Sequence, residues 1–499
     1  MALVHAEGKT LVQVSEKSIL RVFEINKPYG YAAITTDPVT HEYQYEVVEP
    51  TLTEEERGHL QRIRGFLVET LDVMMSELGS REEAEEYLEG RVREIVRNYR
   101  LKVGEHSLNK ILYYITRDYI GYGRIDVMMR DPLIEDISCN GVNIPVYIWH
   151  RDYESVPSNV FFPSEEALDS FIIRLAYRTG RMISIARPML DAILPDGSRI
   201  QMTLGTEVTR HGSTFTIRKF KADPLTIIDI INFGTLSSEM AAVFWYVIEN
   251  KNNVFVCGPT ATGKTTMINC LSSFILPDAK IVTIEDTPEI QLYHKNWIRS
   301  VARPATGSTA EINLFDLLRA AMRQRPDYVI VGEVRGEEAY TLFQAMATGH
   351  GGISTIHAES IEGAIHRLET KPMDIPRNLI TNLNVVVILA RYGMRRRAIT
   401  TTEIVGIDPR TDEIITNETF RWDAKTDSYT YSGRSYLLEG IARRKGVRLR
   451  EIMQEIDRRR TILEWMRENK IRSFKDVTEV IRSFYANPEE VLKAARVGA

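Results

Sequence analysis

The feature that most constrains the fold of this chain is a glycine-bounded loop, residues 258–266, with the sequence Gly-Pro-Thr-Ala-Thr-Gly-Lys-Thr-Thr. Residues 254–257 before it are apolar and predict a short buried strand. Residues 266–271 after it have apolar side chains at helical spacing and predict a helix. A strand, a loop of this sequence and a helix, in that order, predict a phosphate-binding loop (P-loop).

The residue types of the P-loop predict its ligands. Glycines let backbone N–H groups turn toward a polyphosphate, and the helix N-terminus adds positive potential. Lys264 can reach the β- and γ-phosphates, while the Thr265 hydroxyl can bind Mg²⁺. We therefore expect a nucleoside triphosphate with Mg²⁺. The expected nucleotide-binding residues are Gly258, Pro259, Thr260, Ala261, Thr262, Gly263, Lys264, Thr265 and Thr266.

Composition limits the classes of protein to consider. A chain of 499 residues predicts several domains, and its 43% hydrophobic content is enough to bury several cores. The net charge of −5 provides no overall attraction to nucleic acid. The three cysteines form no C-x-x-C pair, which predicts reduced thiols in the core. No long apolar run or signal-peptide pattern is found, so we expect a cytoplasmic location.

Changes in residue periodicity divide the chain into segments. Residues 54–119 have the spacing of three amphipathic helices, the first with Leu60, Ile63, Leu67, Leu71 and Met74 on one face. The predicted segments are a strand-containing N-terminal segment (1–50), a helical bundle (51–120), an α/β domain (121–220), a linker (221–234), a domain with a largely parallel sheet (235–434) and a helical region (435–499).

Two local signals refine this division. Asn140-Gly141 lies between apolar runs and predicts a two-residue β-hairpin turn joining residues 134–139 to residues 142–148. The C-terminal helical region carries two basic clusters, residues 443–445 and 458–460.

Two more predicted strands of the parallel sheet end in acidic residues. Residues 327–333 form an apolar run that ends in Glu333, which we expect to position the attacking water or act as the general base. Residues 281–286 end in Glu285 and Asp286. Because ligands of open parallel sheets bind at the carboxyl ends of the strands, these acids are expected at the same site. The alternatives are a solvated carboxylate for Glu333 and helix-capping acids for the other two.

A glycine-rich segment after these strands carries two histidines. His357 follows a predicted strand, where its imidazole could hydrogen-bond the γ-phosphate; the alternative is a packed histidine. For His350 the functional and structural interpretations are equally open. No Asn-Lys-x-Asp motif for guanine occurs in the sequence, which favours ATP over GTP.

This ordered set of motifs resembles that of the secretion-ATPase superfamily, which drives type II secretion, type IV pili and archaella. The matching segments are the Walker A motif (258–266), the Asp box (284–286), the Walker B motif (325–335) and the His box (349–357). The likeness is closest to the archaeal branch, which includes the archaellum motor, and it covers most of residues 121–487.

The resemblance implies a homohexameric ring whose subunits have a PAS-like N-terminal domain and a RecA-like C-terminal domain with ATP between them. It also implies docking on a polytopic membrane platform protein at the base of a pilin or archaellin filament, with peripheral association with the cytoplasmic membrane. Arginines of the N-terminal domain would reach the γ-phosphate. By position, Arg218 is the first candidate, followed by Arg199 and Arg187.

These observations predict an α/β protein with a RecA-like P-loop core, preceded by a PAS-like domain and a helical bundle. Its predicted function is a motor ATPase that serves a pilus-like or archaellum filament or a type II-like secretion system. The expected catalytic residues are Glu333, Glu285, His357, Arg218 and Arg199, and the expected Mg²⁺ ligands are Thr265, Glu285 and Glu333. No nucleic-acid partner is expected, and an anionic membrane surface is a candidate partner. The alternatives are a RecA-like nucleic-acid motor, which the basic clusters would permit, and an ATP-gated adaptor with negligible turnover.

Overall fold

The computed structural model describes residues 2–6, 9–14, 18–70, 80–220, 224–303, 310–393 and 395–497. Its contacts divide the chain into two compact units, Met1–Lys221 and Ala222–Ala499. Both units mix helices and strands, so the predicted α/β fold class is confirmed. Leu71 and Met74 of the first predicted helix, and residues 221–223 of the predicted linker, lie outside the described residues.

Antiparallel sheets form the framework of the first unit. The pair β1-β2 and the three-stranded sheet β3-β4-β5 precede a six-stranded sheet with the order β8-β7-β6-β11-β10-β9. Buried side chains of the three-stranded sheet, such as Ile34 and Tyr45, share one core with the six-stranded sheet. The strands are β1 Ala2–Ala6, β2 Lys9–Val14, β3 Ser18–Asn26, β4 Gly30–Thr36, β5 Tyr43–Val48, β6 Ile134–Cys139, β7 Tyr147–His150, β8 Glu154–Pro157, β9 Met189–Ile193, β10 Arg199–Thr203 and β11 Thr214–Arg218.

The predicted two-residue hairpin is wrong, although β6 and β7 do pair antiparallel. Strand β7 begins at Tyr147 rather than at Val142, so the connection is a longer loop. Three causes lie in the loop itself. Val142 donates its backbone N–H to the carbonyl oxygen of His211 instead of to β6, and Asn143 takes a left-handed backbone conformation with φ of 56°. Pro145, which has no N–H to donate, cannot continue the ladder.

Three helices of the first unit pack around a core of their own. The periodic apolar face predicted from sequence is buried, with Ile63, Leu67, Leu88 and Ile111 at its centre. The helices of this unit are α1 Glu54–Thr70, α2 Arg81–Asn98, α3 Glu105–Tyr119, α4 Asp126–Arg130 and α5 Glu165–Arg178.

The second unit is built on a nine-stranded sheet with the order β14-β13-β15-β16-β12-β17-β18-β19-β20. The strands from β14 to β17 pair in parallel, and those from β17 to β20 pair antiparallel. The predicted largely parallel sheet is therefore present. The strands are β12 Val254–Cys257, β13 Ile281–Glu285, β14 Trp297–Val301, β15 Tyr328–Val331, β16 Gly351–Ile356, β17 Val385–Tyr392, β18 Arg395–Ile407, β19 Ile414–Asp423 and β20 Ser428–Tyr431.

Helices cover both faces of this sheet. Because side chains alternate along a strand, Val254 and Val256 of β12 pack in one core while Phe255 and Cys257 pack in the other. The helices are α6 Ile227–Asn232, α7 Ser238–Glu249, α8 Lys264–Ser272, α9 Leu314–Met322, α10 Glu338–Ala347, α11 Ile361–Glu369, α12 Arg377–Ile380, α13 Tyr436–Lys445, α14 Leu449–Glu468, α15 Phe474–Ala486 and α16 Pro488–Val497. The C-terminal helices α13 to α16 share a core with the sheet.

One of the two basic clusters is used inside the fold. Arg459 of α14 is buried, with its guanidinium 2.7 Å from Oε2 of Glu249 and 2.9 Å from Oε2 of Glu455. Its neighbour Arg458 pairs with Glu455 at 2.8 Å, and Arg460 pairs with acids of its own helix. Arg459 therefore connects α14 to α7, and Arg458 also pairs with Glu489 of α16.

Arg459→Ala should destabilise the protein by about 3–5 kcal/mol, because it leaves the Glu249 carboxylate without its buried cation. The matched control is the adjacent Arg460→Ala, which removes a half-exposed arginine from a surface pair and should cost about 0–1 kcal/mol. Denaturant unfolding of both variants measures the difference. Equal, small effects would contradict a structural role for Arg459.

Candidate nucleotide-binding site

The parallel register of the sheet brings four strand ends to one edge. Cys257 at the end of β12 lies opposite Ile356 at the end of β16. Strands β15 and β13 end at neighbouring positions of the same ladder. The segments that leave this edge are the P-loop after β12, Glu285 and Asp286 at the end of β13, Gly332 and Glu333 after β15, and His357 after β16.

The backbone of the P-loop takes conformations that side chains disfavour. Gly258, Ala261 and Gly263 have φ angles of 155°, 63° and 92°. A Cβ atom at Gly258 would lie 2.6 Å from the carbonyl oxygen of Leu389 and 2.7 Å from Oγ1 of Thr262, so only glycine fits there. Gly263 is the residue before helix α8, whose first N–H groups therefore face the loop.

Lys264 is the central cation of the site. It is buried, and its Nζ donates to the carbonyl oxygens of Gly258 and Pro259, both at 2.9 Å. The same Nζ lies 3.5 Å from Nδ1 of His357. His357 Nε2 in turn lies 3.1 Å from Oε1 of Glu333. The structure thus joins three of the predicted residues in one chain of polar contacts.

This chain of contacts favours one tautomer of His357. A lysine ammonium can only donate, so Nδ1 of the imidazole accepts from it. Nε2 then carries the ring proton and donates it to the Glu333 carboxylate. The side chains of His357 and Glu333 are 33% and 29% exposed, which leaves both accessible to a ligand above the loop.

Glu285 has a different environment. Its Oε1 accepts the backbone N–H groups of Glu289 and Ile290, both at 2.7 Å, so it closes the turn after β13. Its Oε2 is buried without a hydrogen-bond partner among the described residues and lies 3.8 Å from Nε of Arg299. Burial raises the pKa of the Glu285 carboxyl to about 7, against the lowering effect of the two N–H groups. Asp286, the next residue, forms an ion pair with Arg335.

His350, whose role the sequence left open, lies at the other end of its strand. It precedes β16, whereas His357 follows it, and the six residues between them extend over about 20 Å. Its Nδ1 is 3.1 Å from the carbonyl oxygen of Ala345 and from Oγ1 of Thr348. His350 therefore lies at the sheet edge opposite the P-loop.

The predicted arginines belong to the first unit. Arg199 of β10 and Arg218 of β11 are direct cross-strand partners, so the two guanidinium groups project from the same face of the sheet. Both are exposed. Arg187 lies in a turn before β9, where it forms an isolated bridge with Ser184. Contact of these arginines with the phosphates stays a prediction.

Arg396 is a neighbour of the P-loop that the motifs do not include. It lies on β18, and its Nε donates to the carbonyl oxygen of Ala261 at 3.1 Å. The flanking Arg395 and Arg397 both pair with Asp427 instead. Alternation along a strand explains the split, since successive side chains point to opposite faces. The run of three arginines is visible in the sequence, but its contact with a loop over a hundred residues earlier is not.

This chain is similar to a known protein family and to several known proteins. Residues 128–493 match the family model of the type II/IV secretion system protein. An uncharacterized protein of Methanocaldococcus jannaschii is 38% identical over 394 residues, which is 77% of this chain and 71% of that protein. A second one from the same organism is 50% identical over 240 residues, covering 47% of this chain and 89% of the relative. The conjugal transfer protein TrbB of Rhizobium radiobacter is 32% identical over 42% of this chain and 66% of its own length.

Solved structures that match part of this chain include the pilus retraction motor PilT with bound ADP, at 18% identity and a TM-score of 0.39 over 69% of this chain and 92% of that one. The VirB11 ATPase of the Brucella suis type IV secretion system is 26% identical, with a TM-score of 0.28 over 54% of this chain and 92% of that one.

Because the family model spans well over half of the residues, with the P-loop, Glu333 and His357 inside the match, this chain belongs to the type II/IV secretion system protein family.

Proposed function

We propose that this protein is a motor ATPase that couples ATP hydrolysis to the assembly of a type IV pilus-like or archaellum filament, or to type II-like secretion. The observation that carries the proposal is the chain of contacts from Lys264 through His357 to Glu333 at the mouth of the P-loop. Phosphoryl transfer to water requires positive charge at the phosphates and a group that positions the attacking water, and Lys264 and Glu333 are the candidates for these two roles.

In this proposal the P-loop binds the phosphates of ATP. The left-handed residues of the loop and the start of α8 direct backbone N–H groups to the ligand, and Lys264 supplies the charge. Glu333 orients the attacking water or accepts its proton. His357 holds the Glu333 carboxylate in place and links it to Lys264, so that a change at the phosphates reaches the carboxylate through the imidazole.

The residues of the site are compatible with Mg²⁺. Among the residues that the structure describes, no group of three or more His, Cys, Asp or Glu side chains could hold a metal ion by itself. Mg²⁺ commonly takes only one or two protein ligands and fills its other positions with phosphate and water. The candidate ligands are Thr265 in the first turn of α8, Glu333, and Oε2 of Glu285, which has no hydrogen-bond partner among the described residues. When bound, the metal would neutralise phosphate charge.

The proposal includes a homohexamer that works on a polytopic platform protein at the cytoplasmic membrane. In the described part of the chain, no helix combines the length and the apolar character that crossing a membrane requires. The proposed contact with the membrane is peripheral, through a partner or through the protein surface. Arg218, supported by Arg199, is proposed to stabilise the transition state in a subunit's own ATP site.

The first test concerns the two ends of the contact chain. Lys264→Ala should lose ATP binding and hydrolysis together, whereas Glu333→Gln should bind ATP within a few-fold of wild type and hydrolyse it about 10²- to 10⁴-fold more slowly. Binding is measured with a fluorescent ATP analogue and turnover by phosphate release. The exposed Glu337→Gln is the matched control and should behave as wild type. Full turnover by Glu333→Gln would remove this residue from the mechanism.

The second test uses the raised pKa of Glu285. In the folded protein this carboxyl titrates near pH 7, against about 4.3 in an unfolded chain, so its contribution to stability is present at low pH and lost as the pH rises through 7. Glu285→Gln cannot ionise and keeps the acceptor for the two N–H groups. Between pH 5.5 and 8.5 the wild type should lose roughly 2 kcal/mol more unfolding free energy than the variant, because about 1.5 pH units of this window lie below the folded-state pKa. Denaturant unfolding without nucleotide or Mg²⁺ measures this, and parallel profiles would contradict it.

The third test concerns Arg218. An arginine at the γ-phosphoryl group can contribute roughly 10³- to 10⁵-fold in rate, so Arg218→Ala should lower kcat strongly while ATP affinity changes little. Arg97→Ala, on the exposed side of α2, is the control. If arginine and P-loop belong to the same subunit, mixing Arg218→Ala with Glu333→Gln subunits should not restore activity. Recovery on mixing would show that the arginine acts across a subunit interface.

A further inference from the structure

The turn between α13 and α14 forms a strongly basic corner, defined here as residues 443–450. Its five cations are Arg443, Arg444, Lys445, Arg448 and Arg450, all exposed, and the segment contains no acidic residue. Gly446 ends α13 in a left-handed conformation with φ of 68°, and α14 begins three residues later. The change of direction places the end of one helix and the start of the next on a short exposed corner.

The five cations of the basic corner lack acidic partners. No described carboxylate lies within ion-pair distance of any of them. Their side-chain contacts are with neutral groups. Arg444 Nη2 lies 3.4 Å from Oδ1 of Asn252, and Lys445 Nζ lies 3.4 Å from the hydroxyl of Tyr246 and 5.0 Å from the centroid of its ring. This contrasts with residues 458–460, where every guanidinium has a carboxylate of the same chain. In a chain with a net charge of −5, the basic corner is a local excess of positive charge.

Aliphatic side chains are exposed among these cations. Val447, Leu449 and Met453 are 37%, 40% and 38% exposed, and the first two flank Arg448. Basic residues with aliphatic neighbours suit the interface of an anionic membrane, where cations meet phosphates and apolar side chains enter the acyl boundary. Surfaces that bind single-stranded nucleic acid carry aromatic side chains for stacking, and residues 443–450 include none.

We propose that the basic corner binds the headgroups of anionic lipids, with Val447 and Leu449 at the boundary of the acyl chains. The inference deepens the peripheral membrane association of the proposed function and rests on it for its biological role. It assigns that association to eight residues and excludes the second basic cluster, whose arginines are paired with carboxylates of the same chain.

The test is sedimentation of the full-length protein with vesicles, without nucleotide. One set of vesicles contains phosphatidylcholine alone, and the other contains phosphatidylcholine and phosphatidylglycerol in equal amounts. Binding to the anionic vesicles only is expected, and it should weaken as salt shortens the Debye length from about 10 Å at 0.1 M to about 3 Å at 1 M. Arg448→Gln/Arg450→Gln should lower the affinity about 25-fold, since each basic residue near an anionic surface contributes about fivefold.

Arg458→Gln/Arg460→Gln is the matched control, with the same change of charge at the cluster that is paired inside the chain. Its affinity for the anionic vesicles should stay within about twofold of wild type. Val447→Ser/Leu449→Ser tests insertion separately and should reduce the binding that remains at high salt. A circular dichroism melt of each variant excludes loss of folding as the cause.

Three results would overturn the inference. The first is an equal loss of vesicle affinity in Arg448→Gln/Arg450→Gln and in Arg458→Gln/Arg460→Gln. The second is equal binding to both vesicle types, and the third is tighter binding of the corner to duplex DNA than to anionic vesicles. Failure of the proposed function is distinguishable, because Lys264→Ala should bind vesicles as wild type does. The corner variants should in turn retain the basal ATPase rate. An inactive protein with intact, corner-dependent vesicle binding would contradict the motor function and leave the lipid surface standing.

Discussion

The candidate site depends on the parallel register of four neighbouring strands. In a parallel sheet all carboxyl ends lie at one edge, so groups separated by a hundred residues along the chain meet there. Here that edge collects the P-loop, Glu285, Glu333 and His357. A shift of one strand by one residue would turn its side chains to the other face and replace a carboxylate by an apolar group. The register is thus the condition for any chemistry at this edge.

Close packing maintains the register. Strand β16 begins with Gly351 and Gly352, where a Cβ atom would lie 2.4 Å from the ring of Tyr328 and 2.3 Å from Met346. The absence of side chains lets β16 fit between β15 and β12 and fixes how far it extends toward His357. Asn253 supports the same arrangement from the β12 side, because its side-chain oxygen accepts the backbone N–H of Gly352 at 2.7 Å.

Charged side chains differ in burial and in partners between three parts of the second unit. Near the P-loop, Lys264 and Glu285 are both buried. A ligand could replace the present contacts of Lys264, and it could supply the hydrogen-bond partner that Oε2 of Glu285 lacks among the described residues. In α14, the buried Arg459 is fully paired and stacks near Trp245 and Tyr246, which suits a structural role. At the corner between α13 and α14 the cations remain in solvent. Only the first and third of these arrangements leave charge available to a partner.

The sequence by itself determined the elements that have a local signature. The P-loop and the strand ends at Glu285, Glu333 and His357 follow from apolar runs, glycines and spacing, and the bundle helices follow from their 3.6-residue period. Tertiary structure alone decided what depends on contacts between distant segments. It placed Arg396 against Ala261, closed the turn after β13 with Glu285, put His350 at the far edge, and buried Arg459 while leaving residues 443–450 exposed. The physical reason is that spacing along a chain fixes the local conformation, whereas burial and partners are set by segments that meet only after folding.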